Sequence, residues 1–392
     1  MDTLKDGMRW LVHEKGMLDN LSVCFGNRYT CDFIYENADS QTLYDLASLS
    51  KLFTLIAVMR LSEAGKLCLS SPLSSYDKRF RYIGGLTIGE IISYRINLVT
   101  RERVDEAGDR NEAIARLFDT RATGHHGSRI YSDIHAMILK YAVEGAAGTD
   151  FLSYLTQTIL QPLHMNRTYA RVPDCELSFT QSYDGEHRIE EGYYSIRHAV
   201  KGIPHDPKAA LISPDGSDLC GHAGLFSSLD DMALLCRAML SGELLSEESL
   251  RLIAENRTGK RLLSGEYTQY LGLVCFVKHP SQTFSEVPEY MTYASFGLSG
   301  FTGNHLSVDP ALGIFNVFLG NRCLNRLTVL SPLTHETLST HHLALDGTGT
   351  APWPDGSSVL SSVQYVHQKD KRLHDPIHKT LLLRGMLSCE PF

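Results

Sequence analysis

The chain has no Cys-x-x-Cys, no His-Glu-x-x-His, no Gly-x-Ser-x-Gly and no apolar stretch long enough to cross a bilayer. Each absence removes a class of protein. The nine cysteines stand singly, which fits reduced and mostly buried thiols rather than a disulfide framework or a zinc knuckle. The seventeen histidines include the adjacent pairs His125-His126 and His341-His342. Neighbours in sequence do not share a helical face, so these pairs read as surface loops and no metal or other cofactor is expected. Without a nucleophile elbow, the α/β-hydrolase triad is disfavoured. A net charge of −8 with no basic stripe argues against nucleic acid as a partner. The start, Met-Asp-Thr-Leu-Lys-Asp-Gly-Met-Arg-Trp-Leu, is amphipathic and lacks a secretory layout, so the expected location is cytoplasmic, with no membrane span.

What the chain does have is Ser48 and Lys51, in Tyr44-Asp-Leu-Ala-Ser-Leu-Ser-Lys-Leu-Phe-Thr-Leu-Ile-Ala. Residues at i and i+3 share a helical face. A serine hydroxyl becomes nucleophilic when a base lies within hydrogen-bond reach, and a lysine one turn on serves if burial disfavours its charged form. The start of a helix adds free backbone N–H groups that suit a developing oxyanion. The spacing alone says little, since Ser75 and Lys78 repeat it before a stretch that starts no helix. Ser48 differs because Leu52, Phe53, Leu55, Ile56, Val58, Met59 and Leu61 follow. They make a helix apolar nearly all round, as in a buried core, that stops at Gly65.

At 392 residues, two lobes are expected. Residues 1–16 read as a helix, and 20–26 and 31–36 as strands around Gly26-Asn27. Helical patterns cover 87–94, 108–120, 132–147, 150–161 and 229–240. Residues 176–220 are polar and read as long loops. Strand patterns follow at 270–277, 293–297, 305–309 and 313–319, with a tight turn at Gly303-Asn304. Residues 348–358 read as an exposed loop and 359–385 as a returning helix or strand. The order implies an α/β fold: an antiparallel sheet built from both ends of the chain (1–69 and 221–392), flanked by helices, with a mostly helical lobe, 70–220, inserted.

Three further segments add to Ser48. Ile130-Tyr-Ser-Asp-Ile-His places Tyr131 83 residues after the serine. Cys220-Gly-His-Ala-Gly-Leu-Phe-Ser-Ser follows, preceded by His205-Asp-Pro-Lys. Phe296-Gly-Leu-Ser-Gly-Phe-Thr-Gly-Asn places Leu298 250 residues after the serine. Together these resemble the serine β-lactamase and penicillin-binding protein superfamily, most of all its class C and DD-peptidase-like hydrolases and esterases, over about residues 40–325. The resemblance implies that Ser48 attacks and is acylated, Lys51 takes or shares its proton, and Tyr131 is the second proton-transfer group. It implies that Asp133 stands where the family has Asn or Asp, and that the N–H groups of Ser48 and Phe301 form the oxyanion hole. It places His222 on a loop bordering the pocket, with Leu298, Ser299 and Gly300 as the third motif. Independently of the family, Asp133 reads as a helix N-cap and His222 as a histidine bonded to backbone; His205 and Asp206 read as ordering the same loop, with no chemistry of their own.

Two departures bear on substrate. The family's third motif begins with Lys or His, and here it begins with Leu298, which removes a cation that would bind a substrate carboxylate. Ser93-Tyr-Arg-Ile-Asn-Leu98 replaces a Ser-His-Thr-Ser-Gly-Leu type loop, where Arg95 either restores the charge or faces water. The leading expectation is a serine hydrolase acting on a small-molecule ester, amide or peptide. The alternatives are a DD-peptidase or β-lactamase, or a catalytically weak protein that binds in the same cleft.

Overall fold

The computed structural model describes residues 2–125, 131–257, 270–278 and 286–387. A six-stranded antiparallel sheet is assembled from both ends of the chain. Leu21–Asn27 pairs with Cys31–Glu36 on one side and with Ile314–Gly320 on the other. The sheet continues through His305–Asp309 and Phe296–Ser299 to Phe276–Val277. Strand alternation divides the apolar residues between the two faces. Val23, Phe25 and Phe318 cluster with Leu4, Met8, Leu11, Leu373, Ile377 and Leu381 from the terminal helices. Cys24, Val317, Leu298 and Leu306 join Phe53, Met232 and Cys236 in the main core on the other face.

The helix Ser50–Glu63 belongs to that main core. Eleven of its residues are buried, all round the cylinder, as its composition requires. Ala64 closes it, and Gly65 follows with φ of 66°, where only glycine is unstrained. Against it packs Asp133–Ala147, capped by the Ser132 hydroxyl. The expected helices at 87–94, 108–120 and 229–240 form at Ile88–Ile92, Arg110–Phe118 and Leu229–Ser241. Among the described residues no helix is long and apolar enough to cross a membrane.

Residues 348–358, read as an exposed loop, hold the strand Thr350–Pro352 with Ala351 fully buried, because it pairs with Ser358–Ser361, and two further regions differ from the sequence reading. Residues 176–220 hold a hairpin, Glu186–Glu190 with Tyr193–Arg197, and a helix, Pro207–Ile212. The hairpin joins a second, five-stranded sheet in which Glu186–Glu190 runs parallel to Arg326–Ser331, followed by Ser358–Ser361 and Thr350–Pro352. Of the hairpin only Ile189 joins that sheet's apolar cluster, while Tyr193, Tyr194 and Ile196 of its second strand are exposed, so its apolar residues do not mark a buried face. Its partner arrives from far along the chain, and a single-chain pattern does not register such pairing. The hairpin thus lies inside the segment 70–220 but is bonded to the C-terminal tail. The expected strand 270–277 shrinks to Phe276–Val277, because Val274 takes φ of 58° and gives its N–H to the carbonyl of Ile92 at 2.9 Å.

Candidate active site

Ser48 lies in a short 3₁₀ turn, Ala47–Leu49, that runs directly into the helix Ser50–Glu63. The turn is entered through Ala47 at φ of 47°, a left-handed conformation that costs a non-glycine residue about 1–2 kcal/mol. Asp45 holds it there. One carboxylate oxygen accepts the N–H of Ala47 at 2.8 Å and the other accepts the N–H of His205 at 2.6 Å. Its carbonyl accepts the Thr302 hydroxyl at 2.9 Å and the Asn304 amide at 2.8 Å. Burial raises the Asp45 carboxyl, against the pull of those N–H donors. Sequence reasoning passed over Asp45; an Asp two residues before a turn residue is the one local signal for it.

Those bonds press the third motif against the nucleophile turn. A Cβ on Gly300 would lie 2.7 Å from the carbonyl oxygen of Leu46, so only glycine fits. The next residue, Phe301, makes no hydrogen bond through its N–H to any described residue. Its ring stacks on His205, at 5.7 Å between centroids. Leu298 is fully buried in the main core, opposite Leu306. Ser299 faces the other side of the sheet. Its hydroxyl bonds Glu286 at 2.6 Å and His305 at 2.9 Å, and receives the ammonium of the buried Lys369 at 2.9 Å. The Ser299 hydroxyl is therefore engaged away from Ser48. Arg95, the possible replacement for the missing cation, is exposed.

Lys51 is completely buried. Its ammonium donates to Ser48 Oγ at 2.7 Å, to Asp133 Oδ1 at 2.8 Å and to the carbonyl of His222 at 3.4 Å. Tyr131 makes a side-chain hydrogen bond with it, and the ring centroid lies 5.0 Å from Nζ. The Tyr131 ring is sandwiched between Tyr94, at 5.4 Å, and Phe276, at 5.8 Å. Tyr94 is presented by a backbone φ of 54° in the unusual 93–98 loop. The structure thus gathers Ser48, Lys51, Tyr131 and Asp133 at one point, the last two arriving at the start of the helix Asp133–Ala147.

The charge of Lys51 is the opposite of the sequence expectation. Burial by itself pushes its ammonium down. The carboxylate of Asp133 outweighs burial, Tyr131 adds to it, and the net direction is up. Lys51 rests as an ammonium. For Asp133 burial pushes the carboxyl up, and Lys51, His222 and Lys208 together hold it well below the usual range. Asp133 is not the N-cap; Ser132 is, which frees the carboxylate of the next residue for the lysine.

A second shell of charge lies behind Asp133. Its Oδ2 meets Lys208 Nζ at 3.1 Å, and Lys208 also meets Asp206 Oδ2 at 3.3 Å. Asp206 caps the helix Pro207–Ile212, accepting the N–H of Lys208 at 2.9 Å and of Ala209 at 3.0 Å. It also bonds Nε2 of His222 at 2.9 Å. The His222 ring is therefore bonded to a carboxylate, not to backbone. Asp133, Asp206 and His222 offer atoms within 4.8 Å of one another, but the cation between the two carboxylates is the Lys208 ammonium. The Gly-rich loop that carries His222 is wedged between two helices. Gly221 gives its carbonyl to Thr54 at 2.6 Å, and a Cβ there would lie 2.6 Å from the carbonyl of Ala136. Asp206 and Lys208 were not expected to take part; the sequence signal for their placement is the cap pattern Asp-Pro-Lys-Ala.

This fold, with a Ser-x-x-Lys turn against an antiparallel sheet and a Tyr-Ser-Asp segment set beside it, is that of the β-lactamase-type serine hydrolases. The family profile described as Beta-lactamase matches residues 35–326, and the chain belongs to that family of serine hydrolases. A putative D-alanyl-D-alanine carboxypeptidase of Salmonella enteritidis is 28% identical over 312 residues, covering 73% of this chain and 70% of that protein. Among solved structures, EstCE1, a hydrolase with promiscuous acyltransferase activity, superposes with a TM-score of 0.64 at 16% identity, over 82% of this chain and 93% of that one. The octameric penicillin-binding protein homologue from Pyrococcus abyssi gives 0.60 at 17% identity, over 82% and 73%.

Proposed function

We propose that the protein hydrolyses an ester or small amide through an acyl-enzyme on Ser48. The observation that carries this reading is the bonding of Lys51, which donates to Ser48 Oγ at 2.7 Å and to Asp133 at 2.8 Å while also hydrogen-bonded to Tyr131. In the reaction Ser48 Oγ forms a bond to the acyl carbon as its proton passes to the Lys51–Tyr131 pair. Because Lys51 rests protonated, its ammonium must first lose a proton, so the active form carries a neutral Lys51 amine beside Tyr131. The carbonyl oxygen becomes an oxyanion, held by the N–H groups of Ser48 and Phe301; losing one such donor costs about 100- to 1000-fold in rate. Tyr131 then delivers the proton to the leaving oxygen or nitrogen as its bond to the acyl carbon breaks. Water attacks the acyl carbon and gives a proton to the pair, which passes it to Ser48 Oγ as the acyl carbon–Oγ bond breaks, releasing the acid and the free Ser48 hydroxyl.

Leu298 directs the choice of substrate. A buried leucine offers nothing to a carboxylate, so a neutral leaving group suits the cleft better than a carboxylate-bearing one. A fluorophosphonate probe should label Ser48, and p-nitrophenyl esters should be turned over by the wild type but not by Ser48→Ala. Equal turnover by Ser48→Ala would end this reading. A second reading, cleavage of D-alanyl peptides, is favoured by the Salmonella carboxypeptidase relative. Rapid acylation of Ser48 by a fluorescent penicillin would support it over the first.

A further inference from the structure

We propose that Lys208 and Asp206 are positioning residues for the Ser48 reaction, holding Asp133 between two ammonium groups so that its charge is shared between Lys51 and Lys208. This inference rests on the hydrolase reading above and assigns the regulation of its base. The geometry is a closed ring. Asp133 gives Oδ1 to Lys51 and Oδ2 to Lys208. Lys208 continues to Asp206, Asp206 to the His222 ring, and the His222 carbonyl returns to Lys51. Two carboxylates and two ammonium groups thus alternate around the ring, with the His222 residue closing it.

Lys51 meets charge or polarity from every element packed on it. Ser48 comes from its own turn, Tyr131 and Asp133 from the start of the helix Asp133–Ala147, and the His222 carbonyl from the Gly-rich loop. Lys208 and Asp206 stand behind Asp133 on the helix Pro207–Ile212, and Asp105, from the turn Val104–Glu106, adds its charge on the Lys208 side. Removing the Lys208 charge throws the whole carboxylate of Asp133 onto Lys51, which then holds its proton more tightly. Removing the Asp206 charge does the reverse. A residue that only packs the loop has no such sign.

The experiment is the pH profile of kcat/KM for a p-nitrophenyl ester in wild type, Lys208→Met, Lys208→Arg and Asp206→Asn, with thermal midpoints recorded alongside. Asparagine is as good an N-cap as aspartate, so Asp206→Asn keeps the helix start while deleting the charge. The acid limb should move to higher pH in Lys208→Met, lowering kcat/KM on the order of tenfold at a fixed pH on that limb. It should move to lower pH in Asp206→Asn and return to the wild-type position in Lys208→Arg. Shifts of the same sign in Lys208→Met and Asp206→Asn would overturn the proposal. So would uniform losses that leave the limb in place. If Lys208→Met fails to fold, the direction of the Asp206→Asn shift decides alone. Ser48→Ala is run in parallel: turnover surviving there would overturn the serine mechanism itself, whatever the limbs do.

Discussion

Replacing Asp133 with asparagine should make the enzyme work at lower pH. The carboxylate lies 2.8 Å from the Lys51 ammonium. Two unit charges at that distance attract by about 6 kcal/mol at an effective dielectric of about 20. Asparagine keeps a carbonyl acceptor for the ammonium but no charge, and burial, which already opposes the ammonium, then acts without a counterweight. Allowing for the retained hydrogen bond and for relaxation, the net loss is about 2–3 kcal/mol of preference for the protonated lysine, or on the order of 2 pH units in the acid limb. The assay is the kcat/KM profile for a p-nitrophenyl ester between about pH 5 and 9. On the acid limb the variant should exceed the wild type, and on the plateau it should fall below it, because Lys51 and Lys208 lose the group that orients both. Thermal stability should drop, since the buried Lys51 ammonium and the half-buried Lys208 ammonium lose a carboxylate. The sign for stability is also fixed. Asp133 is depressed in the folded protein, so its contribution is present above the ordinary carboxylate range and disappears as pH falls through its folded value. An acid limb that stays put or moves upward would refute the view that Asp133 sets the proton affinity of the pair.

The remaining predictions concern the scaffold. Ala47→Val crowds a β-branched residue into the φ of 47° that alanine already strains to hold and should lower stability further and reduce ester turnover, checked by urea unfolding and kcat; unchanged values would remove the strain from the account. Gly221→Val, with the carbonyl of Ala136 only 2.6 Å from any Cβ, should lower the thermal midpoint and displace the His222 loop; a midpoint equal to wild type would contradict the close approach. Glu186 is opposed by burial but held down to about 2 by His205, at 2.8 Å, and by Thr328. Because its folded value is depressed, its stabilisation of about 3 kcal/mol is present above pH 4.5 and lost down to about pH 2. Glu186→Gln should flatten the fall of urea midpoints across that window, and an unaltered slope would count against it.

Local chemistry made part of this site readable in the chain. Ser48 and Lys51 sit on one turn, and what singles them out from Ser75 and Lys78 is the helix that follows, apolar all round and ended by Gly65. Strands such as His305–Asp309 and Ile314–Gly320 carry their own apolar pattern and needed no partner to be seen. Tyr131 and Asp133 were located by likeness to a family, since nothing within their own segment says what they face. The hairpin at 186–197 was missed because its first strand is mostly charged and the apolar residues of its second, Tyr193, Tyr194 and Ile196, are exposed, so its place is set by pairing with Arg326–Ser331.

The sequence by itself determined which groups the protein can bring to a reaction: one hydroxyl, one amine and one phenol, on elements whose periodicity fixes their local shape. Only the tertiary structure decided their state. The charge of Lys51 depends on a carboxylate 82 residues away, and the hold on that carboxylate depends on Lys208, 75 residues further still. Coulomb interactions act through space and burial is a property of the whole fold, so neither is written in any local stretch of chain.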